Sequence, residues 1–258
     1  MYSIMESEMF NQMADFYDKF RPSYPLETIN SIVKTADLTP GSQVLEIGAG
    51  SGKATEQFAA YGFEMLCMDP GEDLVHKGNE RFRDPNITFV ATRFENYALP
   101  HAHFDAIVAA QSFHWIPKPQ GYSLCASTLK KHGWLMPFWN IELIYDTELD
   151  QDLLSILEKH SAFTATMKTD DYNDRVERIS KDIAASGYFY EPQITQTYWE
   201  KIYTAEEYFG YVMSGNVFIR NPDSTKSACF HDLCKLADKY NGIRRRFVCE
   251  LYASQKIL

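Results

Sequence analysis

Basic residues are in the minority in this chain: 25 Lys and Arg face 35 Asp and Glu, a formal net charge of −10. A polyanion binder displaces condensed counterions with a cationic surplus, so no nucleic-acid partner is expected. The single basic run, Arg244-Arg245-Arg246, falls in the alternating stretch IRRRFVCELYASQKI and reads as a solvated strand end. No apolar run approaches bilayer-spanning length, and the opening MYSIMESEMFNQM carries acids where a secretory leader carries bases. The expectation is a cytoplasmic protein with no membrane partner. Cysteine is scarce as well. Cys67, Cys125, Cys229, Cys234 and Cys249 are odd in number and scattered, which fits reduced thiols and not a disulfide framework. CFHDLC, Cys229 to Cys234, lacks a second ligand pair and reads as an amphipathic helix, so no metal is expected. Internal repeats and low-complexity linkers are also missing.

What is there is core material. Of 258 residues, 45% are hydrophobic and 14% aromatic, with 16 Tyr and 17 Phe, enough for one large α/β domain with rings to spare for a pocket. Helical spacing runs from Glu6 to Phe20, RPSYP breaks it, and a second helix follows near Leu26 to Lys34; residues 1–34 are read as N-terminal cap helices. Strands QVLEI, EMLCMD, NITFVAT and FDAIVAA then alternate with helices, among them GKATEQFAAYG, closing at Gly62, and PQGYSLCASTLKKHG, before the apolar run WLMPFWN. Such alternation implies right-handed crossovers and a doubly wound, Rossmann-like sheet, mostly parallel, with helices on both faces. Residues 141–191 read as a helical insertion over a substrate site. Strands ITQTYWEKIY and, antiparallel and last, RRRFVCELYASQKI complete a single domain over 1–258.

Chemistry concentrates in VLEIGAGSGKA, Val44 to Ala54. A glycine-rich turn from strand to helix brings backbone amides close to a ligand. The spacing is G-x-G-x-G with Glu46 two residues ahead, so the third glycine comes one position earlier than in the dinucleotide fingerprint. A second acid, Asp69 in MLCMDPG, ends the next strand, where a carboxylate can take both hydroxyls of a ribose. The alternative is a tight turn with two solvated strand ends.

VLEIGAGSGKAT, MDPG, FDAIVAAQSFHWI and LKKHGWLMPFWN, in that order and preceded by YDKFRPSYP at Tyr17 to Pro25, resemble the motifs of class I S-adenosylmethionine-dependent methyltransferases of the small-molecule, type 11-like group. The resemblance covers roughly residues 10–140. It implies S-adenosyl-L-methionine as cofactor and a small-molecule methyl acceptor. It further implies that Gly48, Ala49, Gly50 and Gly52 wrap the methionine and ribose, that Glu46 orients the methionine amino end directly or through water, and that Asp69 holds the ribose diol. Pro70 would border the adenine, with Arg93, Phe94 and Glu95 near its edge; Glu95 or a backbone amide stands in for the family's frequent Asp. Ala110, Gln111 and Ser112 would face the methionine and sulfonium. Tyr17 and Arg21 would cap the cofactor, Arg21 pairing with its carboxylate, unless they are merely a helix end with a surface charge.

Transfer from a sulfonium needs collinear alignment above all, and a base only when the nucleophile arrives protonated. His114 in SFHWIP is either that base or a packing residue beside Trp115, itself a substrate candidate. His101 and His103 fall on a loop at the opposite edge. Tyr188 and Tyr190, with Phe163 and Phe189, are expected to shape the acceptor pocket. The turn after IVAA has neither Asn-Pro-Pro-Tyr nor Pro-Cys nor acids, which disfavours adenine, cytosine and catechol chemistry and leaves O, N or C acceptors open. A silent cofactor-binding regulator and a nicotinamide-dependent reductase are the competing readings.

Overall fold

The computed structural model describes residues 14–162, 164, 166–215 and 218–257. Strands β1 (Gln43–Ile47), β2 (Glu64–Asp69), β3 (Ile87–Ala91), β4 (Phe104–Ala110) and β5 (Leu129–Ile144) run parallel in the order β3-β2-β1-β4-β5. Three more complete the sheet: β6 (Thr166–Lys168), β7 (Gln193–Tyr203) and β8 (Ile243–Gln255). β8 lies antiparallel between β5 and β7, and β6 pairs with the overhanging end of β5. The mostly parallel sheet with an antiparallel last strand is thus as expected. Helices α1 (Ala14–Phe20), α2 (Leu26–Thr35), α3 (Thr55–Ala59), α4 (Glu72–Arg81) and α5 (Gln120–Thr128) belong to the first half; α6 (Glu148–Lys159), α7 (Thr169–Ala185), α8 (Ala205–Met213) and α9 (Asp223–Tyr240) follow.

The apolar runs of β1 and β4 are needed because both faces are covered. Alternate side chains go to two cores: Val44, Val108 and Met136 meet Ile29 and Ile32 of α2 on one face, while Leu45, Ile107 and Leu135 meet Tyr122 and Cys125 of α5 on the other. A third cluster joins α6, α8 and α9 through Leu153, Leu157, Tyr208, Tyr211, Leu233 and Leu236, against Tyr203 and Phe247 of the last strands.

Four boundaries differ from the sequence reading. The helix read through LKKHG stops at Thr128, because Leu129 already pairs with Phe104; the register then shifts, with His132 at φ 66° absorbing the bulge before Trp134 meets Ala106. The helix expected to close at Gly62 ends at Ala59. The 141–191 stretch is no single insertion: its first residues extend β5 to Ile144, α6 joins α8 and α9, and α7 packs on the sheet face through Tyr172 and Ile183. Of the two expected N-terminal cap helices, α2 is a sheet-face helix, and the part of α1's expected span before Ala14 lies outside the described residues.

The basic run is not a solvated strand end either. Strand alternation turns Arg244 out toward Glu200 and buries Arg245 at 1% exposure, where Nε donates to Glu142 and Nη1 to Asp150. A lone buried guanidinium would cost several kcal/mol, which two carboxylates offset. Asp150 also accepts from the Thr147 hydroxyl at 2.8 Å in the N-cap of α6, so one buried cation fixes α6 to the sheet.

Candidate active site

Strand order reverses between β1 and β4, and in open α/β sheets the crevice beyond such a reversal receives ligands. A cavity of about 980 Å³, its open mouth included, lies there, bounded by the ends of the first four strands. Gly48 and Gly50 are at φ 71° and 59°, the left-handed region that a side chain disfavours. A methyl on Gly48 would strike the Ser112 side chain, whereas one on Gly50 would meet nothing within 4 Å and project into open space. Gly48 is therefore bare so that the β1 and β4 ends can touch, and Gly50 so that a ligand can approach.

Asp69 closes the second side. Its Oδ2 accepts the Gly50 amide at 3.0 Å and its Oδ1 the Gly71 amide at 2.8 Å, so the carboxylate sets the loop's shape while each oxygen keeps a lone pair for a ligand. Burial raises its pKa to about 6, against the pull of those two amides. Glu46, 1% exposed, receives the Thr55 hydroxyl on Oε2 at 2.7 Å and has no partner for Oε1. Burial first, and the nearby Asp69 after it, raise the Glu46 carboxyl to about 8. An orphaned buried carboxylate oxygen beside a ligand cavity is a site awaiting a positive group.

The far wall supplies apolar surface. Phe94, 3% exposed, sits in a short 3-10 turn with Leu74, Pro70 and Ile116 around the same space, and Arg93 pairs with Glu95 at 3.7 Å on its edge. At the end of β4, Gln111 takes φ 59°, held by its amide to Phe138 O at 2.9 Å and its side chain to Asn140 O at 2.8 Å. A non-glycine residue there costs of order 1 kcal/mol and marks a constrained turn. Ser112 donates to Ile47 O, tying β4 to β1.

Of the residues named from the sequence, Tyr17, Glu46, Gly48, Ala49, Gly50, Asp69, Pro70, Arg93, Phe94, Glu95, Ala110, Gln111, Ser112 and Trp115 line this one cavity. Five residues do not. Gly52 is bare because the Phe82 and Phe89 rings occupy the space of its missing side chain. Arg21 lines a neighbouring chamber, with Nε donating to Ser214 Oγ at 2.8 Å. His114 is outside the lining, and its Nδ1 accepts the Trp139 indole N–H at 3.2 Å, so the lone pair a base would use is occupied. Desolvation, then Arg175 and Lys118, lower its pKa to about 4. Tyr188 and Tyr190 belong to the opposite end of the sheet, where Tyr190 N donates to Gln255 O, Ile257 N to Tyr188 O and Lys256 N to Gly133 O; both rings are exposed. Phe189 is core, and Phe163 lies outside the described residues.

Tyr24 and Lys53 were missed. Both stand inside quoted motifs, RPSYP and GSGKA, so their position beside the glycine loop was the available signal. Lys53 Nζ donates to Asp18 O and to Arg21 O at 2.8 Å, and Ser51 Oγ to Asp18 Oδ1 at 2.7 Å. The glycine loop thereby latches α1 and its following turn over the cavity mouth.

Comparison with known proteins agrees with this geometry. Residues 44–133 match the family model described as a methyltransferase domain. An uncharacterized methyltransferase of Mycobacterium tuberculosis is 28% identical over 131 residues, 51% of each chain. A Saccharomyces cerevisiae protein named a probable S-adenosylmethionine-dependent methyltransferase is 31% identical over 128 residues, 48% of this chain and 43% of its own. The chain thus matches a methyltransferase domain over residues 44–133. It spans about half the length of the curated relatives it matches. Among solved structures, the chain resembles Haemonchus contortus phosphoethanolamine N-methyltransferase 2, bound to phosphomonomethylethanolamine and S-adenosylhomocysteine, with a TM-score of 0.58 at 12% identity over 96% of this chain and 58% of that one. The YcgJ protein of Bacillus subtilis gives 0.56 at 15% over 90% and 99%. At such identities the likeness establishes the fold.

Proposed function

We propose that the protein transfers a methyl group from S-adenosylmethionine to a small-molecule acceptor. The observation that carries this reading is that Glu46, buried with an unpartnered Oε1, lines the same cavity as Asp69 and Gly50. Glu46 would take the methionine ammonium, Asp69 the ribose hydroxyls, Phe94, Pro70 and Ile116 the adenine faces, and Ala110 to Ser112 the methionine chain. The cofactor supplies an activated methyl on sulfur, and the residues supply orientation and exclusion of water.

Net charge of −10 supports a small molecule over nucleic acid as acceptor. Five free thiols, four of them buried, support a reducing compartment; among the described residues no helix is long and apolar enough to cross a membrane. Titration calorimetry with S-adenosylhomocysteine tests the cofactor, and labelled methyl transfer to a metabolite panel tests the reaction. Absence of binding to folded protein would overturn the proposal.

A further inference from the structure

A sheet edge is an open row of backbone donors and acceptors, and natural proteins blunt it with short strands, proline, bulges or outward lysines. The two ends of this strand order differ. β3 has five residues, and its exposed side chains, Thr88 and Ala91, are small. β7 has eleven, without proline, and pairs with β8 in one unbroken register from Gln193–Ala253 to Tyr203–Ile243. Its other side meets no strand among the described residues. On one face of β7, Ile194, Tyr198 and Ile202 are 39%, 59% and 50% exposed. Charge does not guard this edge either. Glu200 is engaged by Arg244 of the adjacent strand, and Lys201 by Glu207 at 3.4 Å and by the Tyr203 ring at 4.4 Å.

The order of residues limits what can cover the strand. One face of β7 presents Ile194, Gln196, Tyr198, Glu200 and Ile202, and an added strand must match that alternation. The five read apolar, polar, apolar, polar, apolar in both directions from Tyr198. A second β7 laid antiparallel about a two-fold axis at Tyr198 sets Ile194 opposite the partner's Ile202 and Tyr198 opposite the partner's Tyr198. Gln196 then faces the partner's Glu200. Gln196 gives one amide proton to the Tyr172 hydroxyl at 2.8 Å and keeps the other for that carboxylate. On the second face Thr195 meets the partner's Lys201, so no like charges oppose. Moving the axis to Thr197 or Trp199 sets Tyr198 against the partner's Gln196 or the partner's Glu200 and forfeits both isoleucine pairs. Moving it to Glu200 opposes two carboxylates.

We propose that the free edge of β7 binds a second copy of this chain through a two-fold antiparallel ladder centred on Tyr198, joining the two sheets into one. The ladder is about 36 Å long, and a sheet with its side chains is about 10 Å thick, so each copy covers about 350–400 Å². A standard stable interface covers about 800 Å² per partner. The dimer is therefore reversible, with a dissociation constant of about 1–100 µM. The contact is isologous and uses up the edge, so assembly stops at two. β5 and β8 separate this edge from the cavity beyond β1 and β4, which leaves both sites open.

Sedimentation velocity on the full chain from about 1 to 300 µM, a range bracketing that constant, tests the proposal. The wild type should pass from monomer toward dimer. Tyr198→Lys and Tyr198→Glu each oppose two like charges at the axis and should weaken association at least about 10-fold, whereas their equimolar mixture should recover the dimer. Ile194→Lys combined with Ile202→Glu in one chain makes two opposite-charge pairs and should dimerise more tightly than either single variant. Tyr198→Cys should cross-link on oxidation, because directly opposed strand residues lie within disulfide reach. Glu200→Cys, about 14 Å from its own copy, should not. Circular dichroism checks folding; should a charged variant fail to fold, the cross-link decides. A wild type that stays monomeric throughout overturns the proposal, as does a dimer that Tyr198→Lys leaves intact, since another face would then hold it. A Lys and Glu mixture that stays monomeric, or cross-linking of Glu200→Cys in place of Tyr198→Cys, overturns it as well.

Discussion

Glu46 is the sharpest place to perturb the site. In the empty cavity its carboxyl is raised from 4.5 to about 8 by burial, so at pH 7 it is about nine-tenths protonated. Binding an ammonium there requires the ionised form, and one pH unit below the pKa ionisation costs about 1.4 kcal/mol of the binding free energy. Affinity for S-adenosylhomocysteine should therefore rise with pH: about tenfold from pH 6 to 7 and about fivefold from 7 to 8. Asp69, raised to about 6, adds a factor of about two over the first of those units. Calorimetry in buffers of different ionisation enthalpy should count about one proton released per ligand at pH 7.

Glu46→Gln keeps the shape and removes the titration. It should lower affinity at pH 8 by about 10- to 100-fold, the size of a lost hydrogen bond to a charged group, and abolish most of the pH slope. Stability of the empty protein moves the opposite way. The folded carboxyl keeps its proton up to about 8 while the unfolded one loses it near 4.5, so the folded state binds the extra proton and stability falls as pH rises across that window. Glu46→Gln should flatten the fall in urea titrations. A wild-type affinity that changes less than twofold between pH 6 and 8, or a variant that keeps the slope, would refute the role given to Oε1.

Asp69→Ala removes the acceptor of two loop amides and the proposed ribose contact together; about a 100-fold loss of S-adenosylhomocysteine affinity with a modest drop in melting temperature is expected by calorimetry and thermal melts. Gly48→Ala forces a side chain into φ 71° against Ser112 and should cost about 3 kcal/mol in urea unfolding, of which Ser112→Gly in the same chain restores the packing part. Arg245→Met leaves Glu142 and Asp150 buried without their cation and should destabilise by about 3–5 kcal/mol, read from the denaturation midpoint. Tyr188→Ala and Tyr190→Ala, far from the cleft, should leave cofactor affinity and methyl transfer within about twofold.

The sequence alone was sufficient to name fourteen of the residues that line the cavity. Glu46, the glycine loop, Asp69 and Gln111 each sit at the end of a strand, and in a parallel sheet all such ends face the same way, so reading the strands places their last residues together. Local backbone demands wrote themselves into local residues: glycine where φ must be positive, an acid where amides need an acceptor. What surrounds the neighbouring chamber could not be read this way. Arg21 reaches Ser214 across 193 positions, Arg245 meets Glu142 across 103, and neither pair has a shared spacing or motif. Only the insertion of β8 between β5 and β7, and the packing of α6, α8 and α9 on their ends, brought them together. The same cause misplaced Tyr188 and Tyr190, whose aromatic character was legible but whose end of the sheet depended on pairing with the close of β8. Propensity acts over a few residues, whereas the neighbouring chamber is made by contacts between segments whose meeting is decided by the sheet order.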